Sequence, residues 1–290
     1  MIYPSTFSIA ACDPEVAEWG VAVQSKFLAV GSAVPWAKAG VGAVATQAFV
    51  NTGYGPRGLA LLEQGLSAQE ALDRLVADDP ERELRQVGIV DARGHAASFT
   101  GSQCMDWAGG IVGEGFACQG NILVSAKTVE GLAGAYERGR KEREPLAERL
   151  LGALRSGQAA GGDRRGKQSA ALLVVRHQGG YGGFNDRYID LRVDDHPAPI
   201  EELARLFELH QVYFAPPKPS DLAQRDERIV HSVQQKLALL RYYEGEADGV
   251  WSDALKEALF SFCGTENLEE HLRDDDKFDL RILRFMERLL

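Results

Sequence analysis

The residues of this chain whose types and spacing could do chemistry are polar side chains stranded in apolar runs. Thr46, Gln47 and Asn51 interrupt 41-VGAVATQAFVN-51, and Gln119 and Asn121 interrupt 116-FACQGNIL-123. Asn185, Asp186 and Asp190 cluster beside a glycine turn in 182-GGFNDRYIDL-191. A buried polar group left without a hydrogen bond costs about 1–3 kcal/mol, so each of these needs a partner. Two readings stand side by side. The groups bond backbone at sheet ends, or they converge where strand ends meet and form a site for a small polar ligand. The glycine loop 161-GGDRRGKQSA-170 is likewise either a surface loop or an anion grip through Arg164 and Arg165.

Other motifs are weaker. The string 53-GYGPRG-58 is a formal G-x-G-x-x-G, with Asp78 and Asp79 about 20 residues on as acidic ribose readers. Pro56 removes one donor from a phosphate nest, and the preceding segment reads as part of an antiparallel series. A glycine-rich entry into a helix is therefore the favoured reading. The six histidines show no H-x-H, H-E-x-x-H or Cys/His pairing, so no metal is expected, and no cofactor either.

The 290 residues carry 32 Lys and Arg against 42 Asp and Glu, a net charge of −10. Such a chain has no electrostatic reason to seek nucleic acid or anionic lipid. The longest uncharged stretch, 39–56, is too polar for a bilayer core of about 30 Å. Four scattered cysteines without a C-x-x-C pair suggest a reducing compartment. The first thirty residues lack a basic and apolar leader pattern. Together these predict a soluble cytoplasmic protein that contacts neither nucleic acid nor membrane.

Positioning elements follow from periodicity. Strands are expected over 6–11, 20–25, 41–49, 85–91, 96–100, 116–123, 170–176 and 188–193, with a hairpin about 13-DPE-15. Helices are expected over 57–63, 67–77, 129–138, 145–156 and 199–209. Strands in pairs followed by helices in pairs is the order of an α+β fold with antiparallel sheets. Only 3 of the 31 glycines fall in 219–290, and that tail has 16 acidic and 10 basic residues. With the stiff 216-PPKP-219 at the break, the chain divides into domains 1–216 and 217–290. The tail reads as helices over 226–243, 253–262 and 280–289.

The strings 6-TFSIAACDPEVAEWGVAVQSKFLAVGSAVPWAKAGVGAVATQA-48, 51-NTGYGPRGLALL-62, 118-CQGNIL-123, 159-AAGGDRRGKQSAALLVV-175 and 180-GYGGFNDRYIDLRVDDH-196 are similar to an uncharacterised bacterial family with an N-terminal-nucleophile (Ntn) hydrolase-like fold. The segment 233-VQQKLALLRYYEGEADGVWSDALKEALFSF-262, with its G-x-x-D-G turn, resembles the peptidoglycan-binding domain appended to some members. The resemblance implies a four-layer αββα sandwich plus a small all-α domain. It implies a hydrolase acting on an amide or peptide-like small molecule. Thr6 would be the nucleophile, its own amine the base, Lys38 a catalytic lysine, and the Thr46–Gln47 backbone an oxyanion donor. The segment 20-GVAVQSK-26 resembles the second strand of proteasome-type Ntn hydrolases, and Gln24 stands where many of those place an acidic residue. Gln24, Asn51, Gln119, Asn121, Asn185 and Asp186 would contact the substrate. Residues 1–5 precede Thr6 in the sequence, and while they are attached its nitrogen is an amide, not a base. The alternative is a non-catalytic protein that binds a small polar ligand or a peptidoglycan fragment. A homodimer is the expected assembly.

Overall fold

The computed structural model describes residues 6–290. The chain forms two compact units, one ending at Phe207 and one spanning Glu208–Leu290.

In the first unit a six-stranded antiparallel sheet has the order β10-β9-β2-β1-β8-β7. Its strands are β1 (Thr6–Asp13), β2 (Glu18–Ser25), β7 (Gly109–Gly113), β8 (Phe116–Asn121), β9 (Ser169–Val175) and β10 (Arg187–Val193). A four-stranded antiparallel sheet has the order β3-β4-β5-β6. It contains β3 (Pro35–Lys38), β4 (Gly42–Ala48), β5 (Arg85–Asp91) and β6 (Ala96–Thr100). The helices are α1 (Tyr54–Glu63), α2 (Ala68–Ala77), α3 (Lys127–Lys141), α4 (Leu146–Ala159) and α5 (Pro199–Phe214), the last running into the second unit. The expected α+β class, with antiparallel sheets, is what the chain adopts.

Alternation along the strands decides the layering. In β1, Phe7, Ile9 and Ala11 point to a core shared with Leu132 and Tyr136 of α3 and Leu150 and Leu154 of α4. Ala10 and Cys12 point the other way, onto Ala43 and Ala45 of β4 and Val90 of β5. The outer face of the smaller sheet, through Val44, Val87 and Ile89, meets Leu62 of α1 and Leu72 and Leu75 of α2. The order of layers is therefore helices, large sheet, small sheet, helices. Two strands fall outside the sequence expectation. β3 contains Pro35 and β7 reads GGIVG. Both are edge strands, where proline and glycine are tolerated and alternation is weak.

The second unit holds α6 (Glu227–Leu239), α7 (Asp253–Glu266) and α8 (Leu280–Leu289), with a short hairpin of β11 (Leu222–Gln224) and β12 (Lys277–Asp279). This compact unit begins at Glu208, because Leu209, Val212 and Tyr213 of α5 pack on its core. The helix expected to reach residue 243 stops at Leu239, and Arg241 takes a left-handed φ of 64°. The G-x-x-D-G turn is tied by the fully buried Gln234. Its Nε2 donates to Asp248 Oδ1 at 2.7 Å, and its Oε1 accepts from the Gly249 amide at 2.8 Å. Among the described residues no helix is long and apolar enough to cross a membrane.

Candidate functional site

At one end of the inter-sheet layer the apolar packing gives way to neutral polar groups. Thr6 and Ser8 of β1, Ser25 of β2, Gln119 and Asn121 of β8, Gln47 of β4 and Gln86 of β5 are all essentially inaccessible. The register produces the grouping, because Thr6 pairs with both Ser25 and Asn121, and Ser8 pairs with Gln119. Thr6 Oγ1 lies 3.1 Å from Ser25 Oγ, and Gln47 Nε2 donates to the Thr6 carbonyl at 3.2 Å. Ser8 Oγ donates to Gln47 Oε1 at 2.6 Å and accepts from Gln119 Nε2 at 2.6 Å. Gln86 Oε1 accepts from Gln47 and Asn121, while Gln86 Nε2 donates to Thr100 Oγ1 and the Gly120 carbonyl. Gln119 Oε1 and, from β6, Ser98 Oγ are enclosed without a protein partner.

This cluster contains no titratable side chain. It can orient a polar group or stabilise developing charge, but it supplies no acid or base. Gln86 is its hub. Gln86→Leu is expected to destabilise the fold by roughly 2–4 kcal/mol, because it strands several buried partners at once. Urea unfolding of the variant checks this. At Gly88 an added Cβ would overlap the Gln119 carboxamide. Gly88→Ala should therefore cost about 1–3 kcal/mol by forcing Gln119 off its bond to Ser8, measured as a lowered Tm.

Several expected site residues lie elsewhere. Gln24 is fully buried but pairs with Phe7, so it faces the helices on the opposite side of the sheet from Thr6. Both its side-chain polar atoms are without a partner there. Lys38 pairs with Gly42, five positions along β4 from Gln47, roughly 17 Å at about 3.4 Å per residue. It is exposed and bound to Glu63 at 2.5 Å. Asn185 and Asp186 sit in the β9–β10 turn, beyond Val175, which pairs with Trp19 at the end of the sheet away from Thr6. There they accept from the Arg187 and Gln178 amides, as turn residues do. The Thr46 amide, offered as an oxyanion donor, is committed to the Val34 carbonyl.

Asn51 belongs to a second buried knot. Its Nδ2 donates to Asp79 Oδ2 at 3.2 Å and its Oδ1 accepts from the Gly53 amide. Asp79 also receives Tyr54 OH at 2.9 Å and Arg85 Nε at 2.9 Å. The 53-GYGPRG-58 glycines serve packing: a Cβ on Gly55 would run into the Trp36 ring. With Asp78 held by Arg57 and β4 antiparallel to β5, the dinucleotide reading has no support. Arg164 donates to the Leu123 carbonyl, and Arg165 pairs with the buried Asp163, so both arginines proposed as an anion grip are engaged by their own chain. Cys12 is buried toward the far end of β1 from Thr6. Burial and Asp91 push its thiol up to about 12. Among the described residues no three His, Cys, Asp or Glu side chains are grouped to hold a metal ion. Ser8, Ser25 and Gln86 were not anticipated as members of the cluster. Period two puts Ser8 on the face of Thr6 and the parity of β1 against β2 puts Ser25 there, whereas Gln86 depends on how the sheets stack.

A two-sheet sandwich with a buried amide cluster, joined to a small helical unit, defines the class. Within it the chain belongs to the family described as "Family of unknown function (DUF1028)", whose model matches residues 6–203. Residues 213–286 match the family described as "Putative peptidoglycan binding domain". The crystal structure of protein SPO2555 from Silicibacter pomeroyi, also assigned to DUF1028, is similar at 30% identity and a TM-score of 0.64. That match covers 71% of this chain and 89% of that one. Among curated proteins none matches this chain.

Proposed function

We propose that the first unit is a latent amide hydrolase of the N-terminal-nucleophile type. Cleavage of the Ser5–Thr6 bond would activate it, and the substrate would be a small peptide-like molecule. The observation that carries the reading is the position of Thr6. It lies on a central strand of the large sheet, with its hydroxyl against Ser25 and its carbonyl held by Gln47. The family match also starts at this residue. Residues 1–5 lie outside the described residues.

The neutrality of the cluster supports the same reading. A freed Thr6 amine, with a pKa of about 8, would be the base that the surrounding amides lack. It would take the hydroxyl proton as Oγ1 attacks the substrate carbonyl, then pass that proton to the leaving amine. Water would hydrolyse the resulting ester, releasing the acid and restoring the threonine. Gln119 and Asn121 would hold the polar end of the substrate. Leu28 and Val124 are exposed on the loops that follow β2 and β8, and would meet the apolar part of such a substrate.

The helical unit, in this reading, binds a peptidoglycan fragment, so the substrate is a recycled wall peptide met in the cytoplasm. A second copy of the chain completes a homodimer, which sedimentation velocity would test. A second reading, ligand binding without turnover, is favoured by the complete burial of Thr6. N-terminal sequencing combined with a turnover assay on short N-acyl peptides separates the two. A chain beginning at Thr6 that releases amine supports the hydrolase. Tight binding without release, in a chain still carrying Ser5, supports the binding protein.

A further inference from the structure

The helical unit contains a cleft of about 400 Å³, a size suited to a small ligand. Leu259, Phe278 and Ile282 form apolar walls, and Phe260 on its edge is 64% exposed. His271 also lines it, although only 4% of this residue is accessible. Its Nδ1 lies 3.2 Å from Asp279 Oδ2, and its Nε2 is buried without a partner.

Asp279 decides what that nitrogen can do. Burial pushes its carboxyl up, but hydrogen bonds from His271 and Arg281 outweigh this and hold it well below the usual carboxylate range. Arg281 grips it through Nε at 3.0 Å and Nη2 at 2.6 Å. The ionised carboxylate accepts the Nδ1 proton of His271 and fixes the ring. With Nδ1 committed to this carboxylate, Nε2 is the ring atom left without a protein partner.

Four cations line the cleft, Arg225, Lys256, Arg273 and Lys277, beside the carboxylates of Glu257, Asp274 and Asp279. Lys256 and Arg273 are paired with Asp253 and Asp275, whereas Lys277 and Arg225 form no ion pair among the described residues. The Arg225 guanidinium lies over the Trp251 ring at 4.6 Å, which holds its charge at the edge of the cleft.

We infer that this cleft binds the carboxyl-terminal end of a short N-acylated peptide. The carboxylate meets Lys277 and Arg225, an amide N–H donates to His271 Nε2, and small side chains lie against Leu259, Phe278 and Ile282. This rests on the reading of the unit as a binder of peptidoglycan fragments, whose stem peptides offer such an end.

The test uses the full chain, calorimetric titration with N-acetyl-D-alanyl-D-alanine and with its carboxyl-terminal amide, and co-sedimentation with purified peptidoglycan. The acid is expected to bind at least tenfold more tightly than the amide. Lys277→Glu, an exposed substitution, should weaken the acid at least tenfold, and His271→Asn should weaken both probes. Loss of co-sedimentation in both variants supports the assignment. Equal binding of acid and amide, or full co-sedimentation of both variants, overturns the cleft while the peptidoglycan reading stands. Failure of the unaltered chain to co-sediment, with no binding of either probe, overturns that reading itself.

Discussion

Asp79→Ala is expected to lower the stability of the sandwich by about 3–5 kcal/mol, the cost of leaving a buried cation unpaired. Arg85, of which only 5% is accessible, would then face no carboxylate in the interior. Its remaining partners are the exposed Glu81 and the Phe49 carbonyl. For a domain of this size the loss amounts to roughly 10 °C in Tm, read by circular dichroism. Burial alone would raise the Asp79 carboxyl. Hydrogen bonds from Arg85, the Glu81 amide, Asn51 and Tyr54 outweigh it and hold the group far below the carboxylate range. A lowered folded value means that the contribution is complete above the unfolded pKa of about 3.9 and fades as pH falls beneath it. Asp79→Asn should accordingly lose that part of the acid-unfolding slope. An unchanged Tm in Asp79→Ala would contradict the knot as a structural anchor.

Thr6→Ala is expected to reduce turnover of an N-acyl peptide by at least about a thousandfold, because a nucleophile that forms the covalent intermediate has no substitute. Its effect on stability should stay near 1 kcal/mol, the worth of one hydrogen bond and one methyl-sized change. Thr6→Ser should retain measurable turnover. Ser8→Ala removes the bridge between Gln47 and Gln119 and should cost more in stability than Thr6→Ala does. That ordering separates a chemical role from a structural one. If Thr6→Ala left turnover within twofold, the nucleophile would lie elsewhere.

How much of this was legible depends on the kind of order involved. Strands 85–91 and 96–100 and helix 280–289 are read from local alternation, and the structure places them there. Gln47, Gln119 and Asn121 stand out as polar residues in apolar strands, and they do converge. Gln86 escapes notice because it follows Arg85 at the start of its strand and looks like a solvated end. Its partners come from the facing sheet, a contact that no spacing encodes. The Gln24 placement follows from period two once Thr6 is set opposite Ser25, since a residue beside Ser25 cannot share its face. Lys38 shows the opposite difficulty. Its sequence position lies near that of the catalytic lysine in the resemblance, but the β3–β4 register carries it to the far end of the sheet. Asn51 reads as a site residue because its carboxamide is polar and the run around it is not, whereas the partner that claims it, Asp79, comes from beyond the end of α2.

The most direct measurement is the intact mass and amino-terminal residue of the protein isolated from its native host, followed by turnover on the same sample. The account predicts a chain whose first residue is Thr6, with a free amine and active on N-acyl peptides, and an inactive Thr6→Ala counterpart. A chain that keeps the Ser5–Thr6 bond and still releases amine would contradict it.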